Sequence, residues 1–202
     1  ETAIVRMGGV VVPINLLIQI PEICHILSDA EVSCVLVQET LIARLDGAIQ
    51  GLGRNAPSVL SFGASYCVRD NLEALMDVGA NLDLPEISLD ADLLAILYTS
   101  GTTGPAKGVI YPSEQLYWWA ALMAQMSSIT ADSVSFTTLP LFHIHALSSV
   151  VQCLIHGARC VITGRFSASR YWAQAAEAGA THGCLVGSMG SMLLAQPPGS
   201  AD

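Results

Sequence analysis

The chain has 202 residues, 52% hydrophobic and 12% charged, with a mean hydropathy of +0.53, which is ample apolar material for one sizeable core. Eight basic residues stand against seventeen acidic ones, a net charge of −9, and no Lys/Arg cluster occurs, so nucleic acid and anionic membrane surfaces are excluded as partners. The longest apolar stretch, around Leu116 to Ile129, is broken by Gln125, Ser127 and Ser128 well before the roughly 18 apolar residues of a membrane span, and a soluble cytoplasmic protein is expected.

The chain opens on Glu1 with neither a basic n-region nor a small-residue cleavage site, and is expected to begin in mid-sequence. From there short β-branched runs alternate with amphipathic stretches, the pattern of an α/β domain around a largely parallel sheet flanked by helices. A first strand is expected at Val10–Pro13, followed by a helix over Pro21-Glu22-Ile23-Cys24-His25-Ile26-Leu27, with Pro at an early position. The strand Val32–Val37, the helix Thr40–Ile49, the strand Ser58–Phe62 and the helix Asn71–Val78 come next. An acidic connector, Gly79 to Asp92, precedes the strand Leu93–Tyr98. The second half reads as a helix at Ser113–Ser127, strands at Ser133–Thr138 and Arg159–Thr163, a helix at Ala168–Ala178, a strand at His182–Val186 and a helix at Ser188–Ala195. All of it is expected to form one partial domain, 1–202. Trp118, Trp119, Met123 and Met126 fall at helical spacing and read as core packing. Six cysteines, at 24, 34, 67, 153, 160 and 184, form no C-x-x-C pair and have mostly apolar neighbours, as buried free thiols do in a reducing compartment.

The chemistry is concentrated in Leu93 to Tyr111, LLAILYTSGTTGPAKGVIY: an apolar strand, a loop dense in hydroxyls and glycines, one lysine and a second apolar run. Glycines let backbone N–H groups approach an anion, hydroxyls add donors, and the lysine adds a point charge, a combination that suits a polyphosphate. The loop should leave the carboxyl end of its strand, where ligands of doubly wound sheets gather. It is not the P-loop of NTPases: that pattern needs Gly before the lysine and Ser or Thr after it, and this chain has Ala106 and Gly108.

The segment resembles, almost letter for letter, the signature of the adenylate-forming enzymes, which include acyl- and aryl-CoA synthetases, luciferases and peptide adenylation domains. Thr99-Ser100-Gly101-Thr102-Thr103-Gly104 and Lys107-Gly108 match it, with Ala106 where proline is commonest. Two more segments extend the likeness: Gly8-Gly9-Val10-Val11-Val12-Pro13-Ile14-Asn15 with Pro21-Glu22 upstream, and Leu139-Pro140-Leu141-Phe142-His143 downstream, similar to the family's "P-L-F-H". Arg165 to Trp172, Leu185 to Met189 and Leu194 to Pro198 are similar to bacterial crotonobetaine/carnitine-CoA ligase-like enzymes.

The resemblance implies an AMP-forming acid–thiol ligase. A carboxylate attacks the α-phosphate of ATP, with Mg2+, to give an acyl-adenylate and pyrophosphate, and coenzyme A then displaces AMP. It implies that Thr99, Ser100, Gly101, Thr102, Thr103, Gly104 and Lys107 hold the β- and γ-phosphates. His143 would lie beside the acyl-adenylate, with Gly187, Ser188 and Met189 lining the acyl pocket. Small residues there also suit a tight strand-to-helix turn, and His143 outside its motif would read as a hydrogen-bonded core histidine. His143 and His145 form an H-x-H pair, but no acidic or thiolate partner lies close in sequence, and no metal site is expected. The family's adenine- and ribose-binding motifs and its C-terminal domain with a catalytic lysine have no counterpart in the chain, so a fragment inactive by itself is expected. The other reading is a non-catalytic nucleotide-binding or scaffold module derived from a truncated ligase.

Overall fold

The computed structural model describes residues 2–15, 18–63, 71–79, 93–99 and 104–197, and these fall into two compact units, 1–110 and 111–202. The expected acidic connector and Cys67 lie almost wholly outside the described residues, as do Ser100, Gly101, Thr102 and Thr103 of the loop.

The first unit runs α1 (Thr2–Arg6), α2 (Ile20–Asp29), β1 (Cys34–Gln38), a 3-10 turn into α3 (Ile42–Ile49), β2 (Ser58–Phe62), α4 (Leu72–Gly79), β3 (Leu93–Thr99) and the start of β4 (Lys107–Pro112). Strands β1 and β2 pair in parallel from Cys34↔Ser58 to Gln38↔Phe62, with α3 as the crossover. Pro21 stands in the first turn of α2, and the Glu22 carboxylate accepts the Gln19 N–H at 3.2 Å, an arrangement that satisfies a donor the helix itself cannot use. Ile23 and Leu27 of α2 close on Val37, Ile42, Leu45 and Ala48 to form the core of the unit; each large aliphatic group so buried contributes about 1.5–3 kcal/mol.

The expected strand Val10–Pro13 shrinks to a single parallel bridge, Val11↔Ala95, made by Val11 N–H to Leu94 O at 3.0 Å and Ile96 N–H to Val11 O at 2.9 Å. Pro13 has no N–H with which to extend the ladder. Two elements were not anticipated here: α1, and β4, which pairs with β3.

The second unit holds α5 (Ser113–Met126), β5 (Val134–Thr137), α6 (Ile144–His156), β6 (Arg159–Ile162), α7 (Ala168–Glu177), β7 (His182–Cys184) and α8 (Gly187–Leu194). Its three-stranded sheet has the order β6-β5-β7, parallel throughout, with Ser135 facing Cys160 on one side and His182 on the other. Every residue of β5 is buried, as befits a central strand covered on both faces. The chain winds outward from β5 to β6 and then back across β5 to β7, so right-handed crossovers put α6 and α7 on opposite faces. Side chains agree. Phe136 meets the Tyr171 ring of α7 at 5.2 Å, while its neighbour Ser135 lines a cavity with Ser148 and Ser149 of α6.

Helix α6 was not anticipated, although Ile144, Leu147, Val151 and Leu154 recur at helical spacing; its buried residues are the small Ala146, Ser148, Ser149 and Cys153. It ends on Gly157 at φ 66°, the left-handed cap that glycine adopts without steric cost. Helix α5 corrects the core reading of its large residues. It buries Leu116, Ala120 and Ala124, one residue per turn along a single face, and leaves Trp118 62% and Met126 78% exposed. Trp119 and Met123 are half-buried.

The five described cysteines are free, in keeping with the expectation, but only Cys153 is buried and Cys34 is exposed. Among the described residues no helix is long and apolar enough to cross a membrane.

Candidate functional site

In the first unit the hydroxyl- and glycine-rich loop leaves β3 at its carboxyl end. Thr99 and Gly104 are exposed, and Lys107 is exposed as the first residue of β4. The Thr99 hydroxyl lies 3.5 Å from the Lys107 carbonyl across the base of the loop. Gly104 has φ 155° and nothing within 4 Å of where a Cβ would stand, so backbone here can come close to a ligand where a side chain would intervene. Gly108 has a different reason. A Cβ would stand 2.8 Å from Ile96 Cγ2 and 3.1 Å from Tyr98 Cζ, so β3 and β4 can approach this closely only with glycine.

Both stems of the loop are tied to α2. Tyr98 Oη donates to Asp29 Oδ2 at 2.6 Å, and His25 Nε2 donates to the Ala106 carbonyl at 2.9 Å. The His25 and Tyr98 rings also meet edge-on at 6.2 Å. Burial first, and then the hydrogen bond and charge of Asp29, push the Tyr98 phenol well above its ordinary value: its proton is held, and the bond to Asp29 persists across the neutral range. The sequence reading passed over His25 and Asp29. Their one signal was an i, i+4 polar pair on a helix whose apolar residues were already committed to the core.

In the second unit, the reversal of winding between β5 and β7 creates a topological switch at the carboxyl ends of these strands, where α/β sheets take their ligands. The Leu139-Pro140-Leu141-Phe142-His143 segment leaves β5 there, and Gly187-Ser188-Met189 opens α8 after β7. The structure joins the two segments through one buried cluster, Leu139, Ala146 and Met189. Met189 is therefore a packing residue of this unit, with only 7% exposed, while Gly187 and Ser188 are exposed in the first turn of α8. His143 is the N-cap residue of α6 by position, with the Ala146 N–H on its carbonyl at 3.0 Å. Its ring is exposed and tilts against Phe142 at 4.5 Å, so it is not a core histidine. The Thr138 and Thr163 hydroxyls, just past the ends of β5 and β6, are buried without a hydrogen-bond partner.

A cavity of about 230 Å3 lies on the α6 face, lined by Met123, Ser135, His145, Ser149, Gln152 and Cys184 among others. The His145 ring meets Trp119 edge-on at 5.5 Å. No group of three or more His, Cys, Asp or Glu able to hold a metal occurs among the described residues. On this face the Cys153 thiol donates to the Arg159 carbonyl at 3.6 Å. Burial, and then the neighbouring Cys153, push the Cys160 thiol up to about 11, which keeps it protonated and unreactive at neutral pH.

The comparisons with known proteins agree with this geometry. Residues 1–202 match the family model described as AMP-binding enzyme. Sulfoacetate–CoA ligase of Cupriavidus necator is 31% identical over 96% of this chain and 38% of its own length. Indoleacetate–CoA ligase of Aromatoleum aromaticum is 29% identical over the same shares. The inhibitor-bound N-terminal domain of FACL13 from Mycobacterium tuberculosis superimposes with a TM-score of 0.78 at 26% identity, over 96% of this chain and 48% of that one. The chain thus spans little more than a third of the length of these curated relatives, and its fold is that of part of an N-terminal adenylate-forming domain. A match over the full 202 residues, with the glycine- and hydroxyl-rich loop at a strand end, means that this chain belongs to the AMP-binding enzyme family.

Proposed function

We propose that residues 1–202 form part of the AMP-binding domain of an ATP-dependent acid–CoA ligase, which converts a carboxylic acid to an acyl-adenylate and then to a coenzyme A thioester. The observation that carries this reading is the loop: donors, a cation and side-chain-free backbone leave the carboxyl end of β3, in a chain that matches the AMP-binding family from end to end.

In this reading Thr99, Ser100, Gly101, Thr102, Thr103, Gly104 and Lys107 grip the β- and γ-phosphates. Negative charge that builds on pyrophosphate as it leaves is met by N–H groups, hydroxyls and the lysine, which need little reorganisation if they are already in place. Magnesium bound to the nucleotide would add charge stabilisation at the same phosphates. His143, Gly187 and Ser188 border the acid at the switch point of the second unit, and Met189 braces that border from the core. The exposed His143 ring is free to meet a ligand, as a satisfied core histidine is not.

Within the ligases, Arg165 to Trp172 and Leu185 to Met189 incline the reading toward crotonobetaine/carnitine-CoA ligase-like enzymes. The free thiols suit a cytoplasmic location.

The test is a panel assay of the full-length protein with ATP, magnesium, coenzyme A and carnitine, crotonobetaine, sulfoacetate, aryl-acetates and fatty acids. AMP and thioester should form together with at least one acid. ATP cleavage to ADP, or cleavage that ignores the acid, would refute the reading.

A further inference from the structure

The loop carries the groups that would touch phosphate. Its two stems are fastened to the same helix, a little over one turn apart: Tyr98, at the end of β3, donates to Asp29 at 2.6 Å, and Ala106, immediately before β4, receives His25 at 2.9 Å. Helix α2 is itself anchored by Ile23 and Leu27 in the core of the unit, on the face away from these polar residues. Ala106 is buried, at 8% exposed, so its carbonyl has little water to turn to and needs the imidazole. Gly108 leaves room beside β3, since a Cβ there would collide with Ile96 Cγ2 at 2.8 Å and crowd the phenol at 3.1 Å.

We propose that His25 and Asp29 are positioning residues for nucleotide: α2 acts as a bracket that sets the spacing and tilt of the two loop stems, and so holds Thr99, Gly104 and Lys107 in register. The inference rests on the reading that this loop grips phosphate. Neither residue touches the nucleotide in this arrangement; both act through the loop. Loosening one stem costs ordering that binding must then restore.

The measurement is steady-state kinetics on the full-length protein, with KM for ATP, KM for the acid and kcat determined separately for Tyr98→Phe, Asp29→Ala, Asp29→Asn, His25→Ala and His25→Gln. Loss of one such hydrogen bond should raise KM for ATP roughly three- to tenfold, with KM for the acid within about twofold. Asp29→Asn keeps an acceptor for Tyr98 and His25→Gln keeps a donor for Ala106, so each should recover most of the loss of its alanine counterpart. Asp29→Ala and Tyr98→Phe together should cost no more than either alone, because they break the same bond. Tyr98→Phe removes a single oxygen at the strand end, and it decides the matter should the alanine variants fail to fold.

Additive effects, equal losses in both KM values, or an unchanged KM for ATP in Tyr98→Phe would each overturn the bracket. Lys107→Ala separates that failure from failure of the loop reading. A raised KM for ATP in Lys107→Ala beside normal Tyr98→Phe kinetics removes the bracket alone, whereas no effect in either removes the phosphate reading as well.

Discussion

Replacing Gly183 by alanine puts a methyl group into space already taken by the Tyr171 hydroxyl. Gly183 is the middle residue of β7 and pairs with Phe136, so a side chain there would point to the α7 face. An ideal Cβ would stand 2.6 Å from Tyr171 Oη and 3.9 Å from Cζ. The first distance is nearly an ångström inside van der Waals contact, and the second is ordinary contact. Tyr171 cannot swing aside cheaply: it is 2% exposed and packed against Phe136, Phe166 and Trp172. Overpacking of this kind costs about 1–3 kcal/mol. Tyr171→Phe removes the offending oxygen, keeps the ring, and should cost at most about 1 kcal/mol by itself. The double variant should therefore be more stable than Gly183→Ala alone, with a favourable coupling of at least about 1 kcal/mol. Urea unfolding of the four proteins measures the cycle. A neutral Gly183→Ala, or a double variant in which the two losses simply add, would show that the hydroxyl is not what requires glycine at this position.

Other consequences are equally specific. Lys107→Ala should lower kcat/KM for ATP roughly ten- to a hundredfold, the worth of a hydrogen bond to a charged phosphate; an unchanged rate would make the lysine a solvated surface residue. The folded state holds the Cys160 proton more tightly than the ordinary thiol value of 9.0 allows, so that contribution to stability is complete below pH 9 and is lost as pH rises toward about 11. Urea midpoints across this window should fall less steeply in Cys160→Ala. Iodoacetamide at neutral pH should modify exposed Cys34 well before buried Cys153, read by peptide mass spectrometry.

Sequence was a good guide wherever period and flanking residues agreed. Ser58–Phe62 was placed to the residue, bounded by Pro57 and Gly63, and β5 departed from expectation by one residue at each end. Helix α6 went unplaced although Ile144, Leu147, Val151 and Leu154 recur at helical spacing; its buried face is Ala146, Ser148, Ser149 and Cys153, so the residues that pack on the sheet are not those that mark the period. Helix α5 misled for the converse reason, since its alanines are buried while Trp118 and Met126 are exposed. The phosphate loop was legible because its chemistry is local, with donors, glycine and lysine contiguous in the chain. The bracket was not, because Asp29 and Tyr98 are 69 residues apart and His25 and Ala106 are 81 apart, and no local pattern announces such a bond. Gly108 and Gly183 stand between: a glycine within a strand signals a close approach, but only the fold shows that Tyr98 and Tyr171 are what approach.

The most direct test of adenylate formation is isotope exchange between pyrophosphate and ATP by the full-length protein. Reversible attack of a carboxylate on the α-phosphate requires label to enter ATP only when the acid is present and without any need for coenzyme A. Lys107→Ala should depress the exchange together with kcat/KM for ATP. Exchange that proceeds without an acid, or thioester synthesis that yields ADP and phosphate with no exchange, would contradict the assignment of this loop to an adenylating enzyme.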